Sequence, residues 1–125
     1  MPDSAVLTRA SIRFQTNDED KNDQTLLDVI VAQIDGHVVA RVSDFFGTFH
    51  DNHEDGPYDL ELVDPKTRGE MKGGNVTLNI DPIGNDTWRF NFFLDLLFDD
   101  GAHLIARATG LELSDSQREQ SFGVE

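Results

Sequence analysis

The sequence predicts an all-β protein, an antiparallel β-sandwich of about seven or eight strands. Three observations carry that expectation. Apolar and polar residues alternate over most of the chain, the pattern of strands with one buried face. Turn dipeptides separate the alternating runs, Asp35-Gly36 and Asp100-Gly101 above all. No segment shows a convincing helical stripe; Asp44 to Phe49 comes nearest and is too short to stand alone.

The elements follow in order. Ala10, Ile12 and Phe14 alternate with Ser11, Arg13 and Gln15, which marks the first strand. Leu26 to Ile34 is a nearly continuous apolar run with a single acid, Asp28, as expected of a central strand. Asp35-Gly36 then signals a two-residue hairpin, because a type I′ turn needs positive φ at both central positions. Val38, Ala40 and Val42 form the returning strand. Tyr58, Leu60 and Leu62 alternate with Asp59 and Glu61, and Val76, Leu78 and Ile80 with Asn75, Thr77 and Asn79. Trp88, Phe90, Phe92, Leu94 and Leu96 place large apolar groups on one face of the next strand, which makes Trp88 a core residue. Phe93 and Leu97 interrupt its polar face, so part of that face is expected to be covered. After Asp100-Gly101 a last strand runs through Leu104, Ala106 and Ala108, with Thr109 to Leu113 extending it or adding a short one. The sandwich is therefore expected over 10–113, after a lead-in of 1–9. Residues 114–125 read as a loose polar tail that Phe122 can pin.

A chain of 125 residues suits one domain with its own core, and nine Phe supply much of the apolar surface. The charge is lopsided: 24 acids against 10 bases, a formal net charge of −14. That argues against nucleic acid, which needs concentrated Lys and Arg, and against anionic lipid unless a bound cation reverses the local sign. There are no cysteines, which excludes disulfides, zinc thiolates and cysteine nucleophiles. No run approaches the roughly 20 apolar residues of a membrane span. Residues 1–10 lack the pattern of a signal peptide, which leaves a cytoplasmic protein or a domain of a longer exported one.

The remaining acids either solubilise the chain or hold a divalent cation, so their positions matter. The run Asn17-Asp18-Glu19-Asp20-Lys21-Asn22-Asp23 lies between two strands. Asp18, Asp20 and Asn22 have the one-three-five spacing that opens an EF-hand, with Asp23 beside them. The match then fails: Asp23 stands where the glycine should be and Val29 where the glutamate should be. A calcium shell here would need other loops. A second cluster, His50-Asp51-Asn52-His53-Glu54-Asp55-Gly56, offers Asp51 and Asp55; its two histidines raise a transition metal instead, but on a loop their geometry is not fixed. Asp81, Asn85 and Asp86 form a third set, which is also good turn chemistry. In an antiparallel traverse these three connections fall at the same end of the sandwich. Phe45, Phe46 and Phe49 precede the second cluster, and they either plug that end or form a wedge for a membrane or partner. Neither a Gly-x-Ser-x-Gly nor a phosphate-binding glycine loop occurs. His103 reads as a strand-face residue rather than a base.

The stretch Ile12 to Asp20, the strand from Thr25 to Ile34 and the segment Gly84-Asn85-Asp86-Thr87-Trp88 resemble C2-like sandwiches, in particular the PLAT (lipoxygenase-homology) type. The resemblance spans 10–113 on short motifs. It implies a non-catalytic module that binds calcium, lipid or protein, with Asp18 and Asp20 as ion ligands and, less directly, Asp51 and Asp55. The leading expectation is therefore a calcium-binding β-sandwich module that contacts a protein, glycan or membrane surface. The alternatives are an acidic interaction domain without metal and a metal-dependent hydrolase built on His50, His53 and nearby carboxylates.

Overall fold

The computed structural model describes residues 4–19, 21, 25–46, 49–50, 52–82 and 86–124, with Asp18 described in its backbone alone. The predicted sandwich is the fold observed. One antiparallel sheet has the order β4-β1-β7-β8. It comprises β1 (Leu7–Glu19), β4 (Glu54–Asp59), β7 (Thr87–Phe98) and β8 (His103–Ser114). The other has the order β5-β3-β2-β6-β9. Its strands are β2 (Leu26–Ala32), β3 (Val38–Asp44), β5 (Glu61–Leu62), β6 (Asn75–Asp81) and β9 (Glu119–Gly123).

Alternation places the core between the sheets. Ala10, Ile12 and Phe14 of β1 are buried, as are Leu27, Val29 and Val31 of β2 and Val76, Leu78 and Ile80 of β6. All of Trp88, Phe90, Phe92, Leu94, Leu96 and Phe98 on β7 join them. The apolar run of β2 does take the central place in its sheet, where both neighbours complete its backbone hydrogen bonds.

Five details differ from the sequence expectation. First, Asp35-Gly36 does not make the expected type I′ turn, and the turn at Asp100-Gly101 has the same form. Gly36 N–H donates to Gln33 O (2.8 Å) and Gly101 N–H to Phe98 O (2.9 Å), so each turn is shifted one residue back, onto Ile34-Asp35 and Asp99-Asp100. The glycines take the left-handed position that follows, at φ 90° and 85°. Asp35 and Asp100 accept from the N–H two residues on and fix the turns. Ile34 thereby leaves the strand and is 79% exposed.

Second, the run Tyr58 to Leu62 is not one strand. The chain changes sheets at Leu60, whose N–H donates to Ala10 O, with β4 on one side and β5 on the other. Third, β4 begins at Glu54, so the end of the second acidic cluster is strand. Fourth, a one-turn helix, α1 (Arg68–Met71), follows a capping box in which Thr67 and Glu70 bind each other's backbone N–H. The segment nearest to a helical stripe in the sequence forms no helix among its described residues: Asp44 ends β3, and Phe45 and Phe46 continue as irregular chain. Fifth, the polar tail is not loose. β9 pairs with β6 from Asn75↔Gly123 to Asn79↔Glu119, Phe122 packs on Phe92, and Val124 is buried.

The antiparallel pairings bring the ends of β1, β3, β6 and β8 to one end of the sandwich, together with the starts of β2, β4, β7 and β9. The parity expected for the three acidic connections therefore holds. At that end Trp88 lies fully buried, 3.7 Å from Phe90 between ring centroids, and its indole N–H donates to Thr16 Oγ1 at 3.0 Å. Trp88→Ala is expected to cost about 3–5 kcal/mol and Trp88→Phe about 1 kcal/mol, the latter for the lost hydrogen bond. Denaturant unfolding checks both, and a water-like emission maximum in the folded parent would contradict the burial.

Candidate functional site

The loop end is built on rings. Phe14, Phe49, Trp88 and Phe90 cluster with centroid separations from 3.7 to 6.3 Å. Phe49 comes from the β3–β4 connection and enters this cluster with no exposure. Phe46 packs on Tyr58 at 4.5 Å and on Phe49 at 6.1 Å and is half-buried. Phe45 is 47% exposed. The three phenylalanines thus divide. Phe49 is a plug of the open end and leaves the set of contact residues, Phe46 is part of the plug's rim, and Phe45 alone projects outward.

Above the rings lies Lys21, which the sequence reading passed over inside its acidic run. Its side chain is completely buried. Its ammonium donates to Thr25 O (3.1 Å) and Phe45 O (2.6 Å) and stands 4.9 Å from the centroid of the Phe49 ring. Backbone hydrogen bonds in both directions join Lys21 to Phe49. Next to it, Thr25 Oγ1 donates to Asp86 Oδ2 at 2.5 Å, and both residues are buried. Asp86 O in turn accepts from Asp115 N–H. A polar chain therefore links the connections β1–β2, β3–β4, β6–β7 and β8–β9. The only base in the run 17–23 was the available signal for it.

The expected ion ligands fall into separate settings. Asp20, Asn22, Asp23 and Asp51 lie outside the described residues, as does Asn85. Asp18 lies within β1. Asp86 is held by Thr25, and Asp81 is an exposed partner of Arg118 at 3.1 Å. Asp55 sits opposite Phe14 in the β1–β4 register, on the core-facing side of β4, and its Oδ2 is buried without a hydrogen-bond partner among the described residues. Burial, then the carboxylates of Asp55 and Asp44, push the Tyr58 phenol above its usual range. Among the described residues no three His, Asp or Glu gather as a metal-binding group. Asp55, Asp81 and Asp86 therefore do not make a site by themselves.

His50 and His53 are exposed, with ring centroids 5.9 Å apart, and no third ligand joins them among the described residues. Asn52 and His53 are held instead by backbone bonds from Asn52 N–H to Thr16 O and from Thr16 N–H to His53 O. His103 is an exposed strand-face residue bonded to Asp95 at 2.6 Å. No helix among the described residues is long and apolar enough to cross a membrane. Comparisons with protein-family models, curated proteins and solved structures gave no match.

Two outcomes test this arrangement. Phe49→Ser is expected to cost several kcal/mol through cavity formation and polar burial, about 3–5, whereas Phe45→Ser should stay within about 0.5 kcal/mol. Lys21→Met keeps the aliphatic volume but strips one buried and one part-buried carbonyl of a charged donor, for a loss of about 2–3 kcal/mol. Urea melts of the three variants measure both; a Lys21→Met protein as stable as the parent would show that the ammonium contributes no net stability.

Proposed function

We propose that the chain is a non-catalytic binding module that works through its loop end, takes up calcium there, and contacts a protein, glycan or membrane surface beside the ion. The observation that carries this reading is the return of all three acid-rich connections to one end of the sandwich. Calcium wants six to eight hard oxygens, which one such loop does not supply and several can. The first donors would be Asp18, Asp20 and Asn22, with Asp23 and Asp51. Asp55 supports them with a buried oxygen that lacks a partner among the described residues. Asp81 and Asp86 are already engaged, by Arg118 and Thr25, and are weaker candidates. The exposed Phe45 fits a contact beside the ion. Kinship with C2 and PLAT domains is part of the same proposal, and the two stacked antiparallel sheets are compatible with it.

A second reading has its own observation. Lys21 already places a positive charge among these loops. An acidic interaction domain whose loops are held by that ammonium needs no metal.

Thermal melting in millimolar calcium and in chelator separates the two. A ligand specific to the folded state stabilises by about 2.7 kcal/mol at a hundredfold excess over its Kd. The calcium reading expects a higher melting temperature in calcium. It also expects the double variant Asp18→Asn, Asp20→Asn to lose most of that gain while its metal-free form melts no lower, because like-charge repulsion is relieved. Identical melts of the parent in calcium and chelator would leave the metal-free reading standing.

A further inference from the structure

The outer face of the β4-β1-β7-β8 sheet has a chemistry unlike the rest of this acidic chain. Phe93 stands at its centre, half-buried, on the polar side of β7. Directly opposite it are Arg13 on β1 and Arg107 on β8, so a guanidinium flanks the ring on each side in one row across three strands. Arg13 lies against the ring, with Cζ 5.0 Å from its centroid. Arg107 is exposed, borders a separate depression with Ile105, Ala106 and Gly123, and has no ion-pair partner among the described residues, whereas Arg9, Arg13 and Arg89 each have an acid.

Two shallow depressions share this Arg13–Phe93 pair. One, of ≈ 150 Å³, adds Gln15, Glu54 and Asn91 to its lining, and the other, of ≈ 260 Å³, adds Ser11, Pro57 and Asp95. The amides are fixed in place. Asn91 Oδ1 accepts from Gly110 N–H at 2.8 Å, and its Nδ2 donates to Gln15 Oε1 at 3.3 Å. The sheet thus presents a ring bordered by rigid planar amides, carboxylates and guanidinium groups.

We propose that this face binds an oligosaccharide bearing a carboxylate, with a sugar ring packed against the part of Phe93 that Arg13 leaves open and its carboxylate on Arg107. A pyranose offers a flat C–H face for an aromatic ring and vicinal hydroxyls that pair with planar amide and carboxylate groups in both donor and acceptor senses. The unpaired guanidinium adds a bidentate partner for one carboxylate. The net charge of −14 sets a limit on the ligand. Charges farther than about 8 Å are largely screened at physiological salt, so one acid group next to Arg107 is attracted, while a densely charged polyanion is repelled by the rest of the chain. The site lies on the sheet face rather than at the loop end, and it is independent of calcium.

Calorimetric and NMR titrations of the full chain in chelator test the proposal. The probes are an oligosaccharide with one terminal glucuronate, its methyl ester, the neutral parent sugar and a short glutamate-containing peptide. The acid form should bind at least about tenfold more tightly than the ester, the value of one charge-assisted hydrogen bond. Arg107→Gln, an exposed change, should erase that preference. Phe93→Ala should lose both sugars, with a melting curve confirming that it folds. The Asp18→Asn, Asp20→Asn variant should bind like the parent, which keeps this result apart from any failure of the calcium reading. Absence of binding by every sugar, equal affinity for acid and ester, or tighter binding of the peptide through Arg107 would each overturn the proposal.

Discussion

The buried ammonium of Lys21 is the constraint on which the loop end depends. A charge taken out of water is costly unless its protons find acceptors, and here two backbone carbonyls and a ring face receive it. Those acceptors sit on different connections, so the ammonium bridges them when Phe45 and Thr25 are both in place. The same geometry holds Phe49 over Phe14 and Trp88. The apolar plug and the polar latch are thus one device: the plug excludes water from the ammonium, and the ammonium anchors the loop that carries the plug. Thr25 extends the latch to Asp86, and Asp86 extends it to Asp115.

That arrangement changes what the acidity of these loops means. Like charges packed into short connections repel, and a bound cation is one way to relieve them. A lysine in their midst is another, and it is present whether or not metal is. On the calcium reading, the ligands are groups that the latch does not use. Asp86 is used. Asp55, with a buried oxygen lacking a partner among the described residues, is not.

Most of the fold was legible because period-two alternation reports burial directly. The faces of β1, β2, β6 and β7 follow from it, and so does the core position of Trp88. The misreadings have specific causes. Alternation continues through Leu60, yet the chain changes sheets there, because an inward residue can belong to either layer and periodicity does not say which. β9 has little apolar content, since as an edge strand it buries only Phe122 on its inner side. The Asp-Gly pairs mark real turns, but a glycine serves equally at the position after a type I turn, so the dipeptide alone does not fix the register. At the site, residue type predicted which loops meet, not which side chains are already engaged. The pairing of Asp86 with Thr25 and the burial of Lys21 arise from tertiary contacts between segments up to 61 residues apart.

The distribution of charge differs between the sheet face and the loop end. Four of the ten bases, Arg9, Arg13, Arg89 and Arg107, stand on the outer face of one sheet. Three of them are matched with acids across neighbouring strands or along the edge. Exposed pairs of this kind add little stability, so their effect is mainly on the local field. They hold one sheet face close to neutral within a strongly acidic chain, while the loop end keeps its acids. The row Arg13–Phe93–Arg107 exists because β7 places an aromatic residue on the side where its alternation calls for a polar one. Strand periodicity alone gives no reason for a phenyl group there, and the two guanidinium groups beside it supply one.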